Sequence, residues 1–166
     1  MTADRRIVQD GFAVGLIGYA AVALFYSAFD LLAARGALHT VNMLGQAMFR
    51  GLRDPSVLLF PINLDPLAIL AYNALHLGIA LAIGFFVASL VATAEQKPST
   101  RRVMRVLIVG GYAVTVVVVG VLTSPIRDLL PWWSIMLANA VAAILAGSYL
   151  VTRHPGLWRN LALVTP

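Results

Sequence analysis

The chain has 166 residues, of which 60% are hydrophobic and 11% are charged, whereas an ordinary soluble domain carries about 25% charged residues. It contains no cysteine, which excludes disulfides, thiolate metal sites and iron–sulfur clusters. Its formal net charge is +5, but the basic residues flank apolar segments, which is typical of membrane topology signals and not of nucleic-acid binding. We therefore expect an integral membrane protein whose surroundings are the lipid bilayer.

Four apolar segments are each long enough to cross the hydrocarbon layer, which takes about 20 helical residues. Polar residues and prolines mark their ends. Asp65 and Pro66, for example, are a typical N-cap and first helical residue. We predict an all-α fold, an integral membrane four-helix bundle forming one domain over residues 1–166. The predicted spans cover residues 12–34, 67–93, 103–123 and 132–152.

The long connection between the first and second spans contains a fifth helical pattern. Over residues 40–53, Val41, Leu44, Met48 and Leu52 recur at helical spacing, and polar residues lie elsewhere on the helical wheel. This pattern predicts a short amphipathic helix lying on the outer membrane surface. The segment is then either a surface-seated connection or a docking surface for another subunit, and the sequence leaves both open.

The basic residues are distributed unequally between the two sides of the predicted bundle. Eight of the 12 lysines and arginines lie in the N-terminal segment, in the connection between the second and third spans, and in the C-terminal segment. Cytoplasmic connections carry an excess of basic residues. We therefore expect both termini on the cytoplasmic side of a bacterial inner membrane.

Small residues recur along one face of three of the four spans. Because lipid supplies no hydrophobic force between helices, small residues mark the faces where helix backbones approach closely. We predict helix-packing roles for Gly11, Gly15, Gly18, Ala80, Gly84, Ala138, Ala142 and Ala146.

Polar side chains occur inside the apolar spans at comparable depth, measured with a rise of about 1.5 Å per residue. His76 and Asn73 lie on the same side of the second span as its small residues, and we expect them to point into the bundle. Tyr26, Thr115 and Asn139 come from the other three spans. We call these five residues the predicted polar layer.

Asp30 lies near the end of the first span, above the predicted polar layer. It is either an ion-paired helix end or, if the layer serves proton or quinone chemistry, the proton-exchange candidate. The layer itself is either a set of hydrogen bonds that fixes helix register or a cofactor site formed by His76, Asn73, Asn139 and Tyr26.

The positions of the three histidines limit which cofactors the chain could bind. His39 and His154 lie outside the spans, so a haem with two histidine ligands is disfavoured. A pigment bound by one histidine, or a quinone, stays open, and we predict no metal site and no definite cofactor.

The sequence has no phosphate-binding loop, no HExxH motif and no catalytic Ser/His/Asp set with suitable geometry. The absence of these motifs favours a protein that is not an enzyme. We expect a non-catalytic accessory or structural subunit of a larger bacterial membrane complex, of respiratory or photosynthetic electron transport, with other membrane subunits as partners. The alternative is a small membrane protein that binds a pigment, haem or quinone, or that transports a solute through the polar layer around His76.

Overall fold

Helices account for most of the chain. The computed structural model describes residues 3–52 and 54–156, and these residues contain five α-helices and no strand. The all-α prediction is confirmed for this part of the chain. The helices are α1 (Ala3–Leu32), α2 (His39–Phe49), α3 (Pro66–Gln96), α4 (Arg101–Leu122) and α5 (Trp132–Arg153), with short 3-10 turns at Pro55–Val57, Pro98–Thr100 and Ser124–Ile126.

Four of these helices, α1, α3, α4 and α5, are long and apolar enough to cross a membrane, with mean hydropathy between 1.8 and 2.3 in their most apolar stretches. This agrees with the four predicted spans. However, α1 begins at Ala3, ahead of the predicted start at Phe12, because arginine, glutamine and alanine are good helix formers although only alanine is apolar.

The second helix is shorter than predicted. It ends at Phe49, and Gly51 then adopts a left-handed conformation with φ +69°, which glycine tolerates because it has no Cβ. The predicted end at Arg53 lies outside the described residues. The predicted cap of α3 is confirmed, since Pro66 is its first residue and the Asp65 carboxylate accepts a hydrogen bond of 3.0 Å from the Ala68 N–H.

The helix α1 is central because it packs along both α3 and α5, whereas α4 packs against α5 and the nearby end of α3. Two apolar clusters hold the ends of this arrangement together. We call the end that holds the start of α1, the end of α3 and the end of α5 the terminal end, and the opposite end the α2 end. The cluster at the terminal end is Val14, Val91, Ala94, Met104 and Leu150, and the cluster at the α2 end is Met43, Leu58, Ile126, Leu130 and Ile135.

Glycines bring α1 and α3 into backbone contact. A Cβ added at Gly15 would lie 2.7 Å from the Leu81 Cα, and one added at Gly84 would lie 2.6 Å from the Gly15 N. A Cβ at Gly11 would lie 2.9 Å from the Phe85 Cα. These three glycines therefore serve packing within the chain.

The other predicted packing residues differ in how closely the rest of the chain contacts them. A Cβ at Gly18 would meet nothing within 4 Å. Ala138 is fully buried, Ala146 packs against the cluster at the terminal end, and Ala80 and Ala142 are half-buried. The small residues of α1 thus belong to an internal contact at Gly11 and Gly15 but not at Gly18.

The helix α2 presents its polar residues to the rest of the chain. Asn42 is fully buried and Gln46 is 8% exposed, whereas Met48 is 46% exposed. Gly45 allows the backbone of α2 to approach Ala68 at the start of α3. The polar edge of this helix therefore anchors it, while part of its apolar edge stays uncovered.

Candidate functional site

Two residues of the predicted polar layer, Asn73 and His76, lie one turn apart on α3, and both contact a tyrosine that the sequence argument did not include. Tyr19 on α1 donates a hydrogen bond of 2.8 Å from its hydroxyl to the Asn73 Oδ1. The centre of its ring lies 5.3 Å from that of His76, and the centre of the Tyr72 ring lies 5.9 Å from that of His76. We call Tyr19, Tyr72, Asn73 and His76 the His76 cluster.

The His76 imidazole is half-buried, and no described residue hydrogen-bonds either of its ring nitrogens. Each nitrogen keeps some exposed surface, because the described residues contain no fully buried, unpaired polar side-chain atom at this position. A histidine nitrogen can donate or accept a hydrogen bond or ligate a metal. The ring is therefore available to a group from outside the chain.

The remaining residues of the predicted polar layer bond elsewhere. The Tyr26 hydroxyl lies 3.3 Å from the Ser134 Oγ on α5. Thr115 and Asn139 each donate to a backbone carbonyl one turn earlier in their own helices, at distances of 2.8 Å. These bonds leave Tyr26, Thr115 and Asn139 with partners other than His76.

Asp30 is fully buried at the α2 end, where it caps a neighbouring helix. Its carboxylate accepts two hydrogen bonds of 2.7 Å, one from the Thr40 N–H and one from the Thr40 hydroxyl. Backbone N–H groups in the first turn of a helix have no intrahelical partner, and a carboxylate there is favourable. Both bonds to Thr40 hold α2 against the end of α1.

A pocket of about 320 Å³ opens beside this cap. His39 in its wall is 4% exposed, and its Nδ1 is buried with no hydrogen-bond partner among the described residues. Burial lowers the pKa of His39, opposed by the nearby Asp30 and assisted by Arg35. The pocket is lined by Arg35, Gly36, Ala37, Leu38, His39, Phe60, Ile62 and Leu64.

A polar network joins α2 to the residues that precede α3. The Asn42 side chain accepts a hydrogen bond of 2.9 Å from the Asp65 N–H, and the Gln46 Nε2 donates one of 2.8 Å to the Asn63 carbonyl. Arg50 forms a salt bridge of 2.8 Å with Asp65. The Arg50 guanidinium and the Ala68 N–H lower the pKa of Asp65 to about 2.

A second polar cluster, centred on the buried Asp10 and His154, lies at the terminal end. The His154 Nδ1 lies 2.7 Å from the Glu95 Oε1, and its Nε2 lies 3.1 Å from the Asp10 Oδ2. The Tyr149 hydroxyl donates a bond of 3.0 Å to the Asp10 Oδ1, and the Arg153 Nε approaches the same oxygen at 3.4 Å. We call these five residues the His154 cluster.

The His154 cluster joins the ends of α1, α3 and α5 through one imidazole. The ring can donate to both carboxylates only when both nitrogens carry a proton. Its two nitrogens point in opposite directions, so they cannot hold one metal ion together, and no metal-binding group of three or more such side chains occurs among the described residues. The cluster therefore holds the ends of α1, α3 and α5 together.

Sequence reasoning missed both the His154 cluster and the polar anchor of α2. Asp10, Glu95 and His154 lie near span ends, where charged residues ordinarily mark the membrane boundary. No local pattern at these residues indicates that their side chains meet, because the contact depends on how α1, α3 and α5 pack.

No protein-family model, curated protein or solved structure matches this chain. The functional conclusions below therefore rest on the residues and contacts of the chain itself.

Proposed function

We propose that this chain is a non-catalytic subunit of a larger bacterial membrane complex. In this proposal α1, α3, α4 and α5 form a four-helix bundle across the inner membrane. The helix α2 lies at the outer surface, with the exposed side chains of Met48 and Phe49, and of Leu52 beyond its end, toward lipid. The lengths and hydropathies of the four long helices support this placement. The unequal distribution of basic residues supports cytoplasmic termini.

The observation that carries the subunit proposal is a set of glycines that face away from the chain. An added Cβ would meet nothing within 4 Å at five glycines of the long helices. In lipid, glycine has its use where a second backbone approaches closely. A partner helix would supply that second backbone. Four of these five positions, Gly18, Gly78, Gly111 and Gly147, are the proposed contacts with a partner helix, and the fifth is Gly110.

The polar chemistry of the chain also supports a structural role. Asp30 is engaged with Thr40, Asp10 and Glu95 with His154, and Tyr26 with Ser134. These groups already stabilise contacts between helices, and using them in turnover would break those contacts. Service in electron transport stays a prediction from the sequence.

A second candidate function rests on the open imidazole of His76. A ring nitrogen without a partner is costly in hydrocarbon, and the rings of Tyr19 and Tyr72 lie close to the imidazole. A pigment or quinone bound at one histidine would satisfy that nitrogen. A polar side chain of a partner subunit would satisfy it equally.

One experiment on native membranes tests the subunit proposal and separates it from the second candidate. Gentle solubilisation should recover the chain in a particle much heavier than 17.8 kDa, with other polypeptides in fixed ratio. Gly78→Leu should release the chain from that particle with its helicity unchanged. Recovery of the wild type as a monomer would contradict the subunit proposal.

The absorption spectrum of the same particle tests the second candidate. If His76 binds a pigment, His76→Leu should remove a visible absorption band, and Asn139→Leu, which removes an amide bonded within its own helix, should keep it. A colourless particle that loses extractable quinone in His76→Leu would identify a quinone. If neither the absorption band nor the amount of extractable quinone changes in His76→Leu, the proposal that His76 binds a ligand is wrong.

A further inference from the structure

We propose that the lipid-facing side of α4 at the terminal end binds one anionic phospholipid, with the headgroup phosphate on Arg102 and Arg105 and an acyl chain along Val106, Val109 and Gly110. These five residues, all on α4, line a shallow surface groove that is widely open. The inference rests on the membrane placement of α4 proposed above, and it does not depend on a partner subunit.

The groove has a basic part followed by an apolar part, which is the order of the headgroup and the acyl chain in a phospholipid. Arg102 and Arg105 are exposed and lie three residues apart, so they share one face of the helix. Val109 and Gly110 follow one to two turns farther along the same face. From Arg102 to Gly110 the helix rises about 12 Å. A soluble anion could contact only the arginines, whereas a phospholipid spans both parts.

The two arginines have no carboxylate partner among the described salt bridges. Two acidic side chains described at this end of the molecule, Asp10 and Glu95, are both engaged by His154. A guanidinium matches phosphate in geometry and can donate two parallel hydrogen bonds to it. An anionic group from outside the chain would therefore complement the two arginines.

The apolar part is shaped for close contact. Gly110 is exposed, and a Cβ added there would meet nothing within 4 Å. The missing side chain leaves a depression between Val106 and Val109, whose side chains are 64% and 68% exposed. An acyl chain in this depression gains dispersion contacts with backbone and valine methyl groups. Basic sites between or beside membrane helices are known to hold anionic headgroups.

The test measures apparent dissociation constants for phosphatidylglycerol and phosphatidylcholine by native mass spectrometry of the purified full chain in detergent. The wild type should bind its first phosphatidylglycerol at least about tenfold more tightly than phosphatidylcholine. Arg102→Gln combined with Arg105→Gln should weaken phosphatidylglycerol binding about 25-fold, since each arginine near the surface contributes about fivefold, or about 1 kcal/mol.

The matched charge control is Arg35→Gln combined with Arg127→Gln. It removes the same number of charges from the α2 end, where these arginines lie over the rings of Phe29 and Trp132. The tightest phosphatidylglycerol site should survive in this control. Equal binding of the two lipids by the wild type, or equal weakening in the two double variants, would overturn the proposal.

The adjacent residues Gly110 and Gly111 provide a test and a control for the proposed contact between the acyl chain and the groove. Gly110→Leu should fill the groove and weaken phosphatidylglycerol binding. Glycerol phosphate, which has no acyl chain, should bind Gly110→Leu as it binds the wild type. Gly111→Leu adds the same side chain at an open position outside the groove and should bind phosphatidylglycerol as the wild type does. If Gly110→Leu has no effect, the acyl-chain contact is wrong. A chain that is recovered from native membranes as a monomer and still shows the lipid preference would contradict only the subunit proposal.

Discussion

A single methyl group at Gly84 should weaken the fold, because the space it needs is occupied by the backbone of α1. A Cβ there would lie 2.6 Å from the Gly15 N and 2.9 Å from the Gly15 Cα, and it would also meet the Gly11 carbonyl oxygen. Backbone atoms cannot rotate aside as a flexible side chain can. The variant Gly84→Ala therefore requires α1 and α3 to move apart along their glycine contact.

The size of the effect follows from two opposing contributions. Overpacking a well-packed contact costs about 1–3 kcal/mol, and three backbone contacts at one added atom place Gly84→Ala at the upper end. Replacing glycine by alanine inside a helix gains about 1 kcal/mol of helix propensity. We expect a net loss of about 2 kcal/mol in the free energy of unfolding.

Gly78 on the same helix is the matched control, since a Cβ there would meet nothing within 4 Å. Gly78→Ala keeps the gain in helix propensity without the clash. The two variants should therefore differ by the packing cost itself, about 3 kcal/mol. The assay is reversible unfolding in mixed micelles with increasing sodium dodecyl sulfate, followed by far-ultraviolet circular dichroism. Equal stabilities of Gly84→Ala and Gly78→Ala would refute the glycine contact between α1 and α3.

Three further predictions concern the α2 end and the orientation of the chain. Asp30→Ala should lower the free energy of unfolding by about 1.5–3 kcal/mol in the same assay, because it removes the acceptors of both bonds from Thr40. Thr40→Ser keeps both bonds and should be nearly neutral. Burial lowers the pKa of His39, so the unfolded chain binds a proton at this residue more readily than the folded chain does. The contribution of His39 to stability is therefore present above about pH 6.5 and is lost as the pH falls toward the pKa of the folded state. The melting temperature should accordingly fall less in His39→Gln than in the wild type between about pH 7 and 5, and identical profiles would contradict this. In this cysteine-free chain, an impermeant thiol reagent applied from outside should label Ser56→Cys and not Ser99→Cys, and the reverse pattern would overturn the cytoplasmic assignment of the termini.

The sequence by itself determined the helical elements and several of their ends. Long apolar segments can be recognised one at a time, because each span satisfies its own backbone through bonds four residues apart. The cap of α3 by Asp65 was equally local, since the carboxylate lies three residues from the N–H it accepts from. These features need no knowledge of how the helices pack.

Only the tertiary structure decided which polar side chains meet. His154 joins Glu95 and Asp10 across 59 and 144 residues, and Asn73 pairs with Tyr19, which the comparison of depths had not included. Depth along a span follows from the residue number, but a contact also requires the rotation of each helix about its own axis. That rotation is set by close packing at Gly11, Gly15 and Gly84, whose partners lie on another helix, and hydropathy does not encode it.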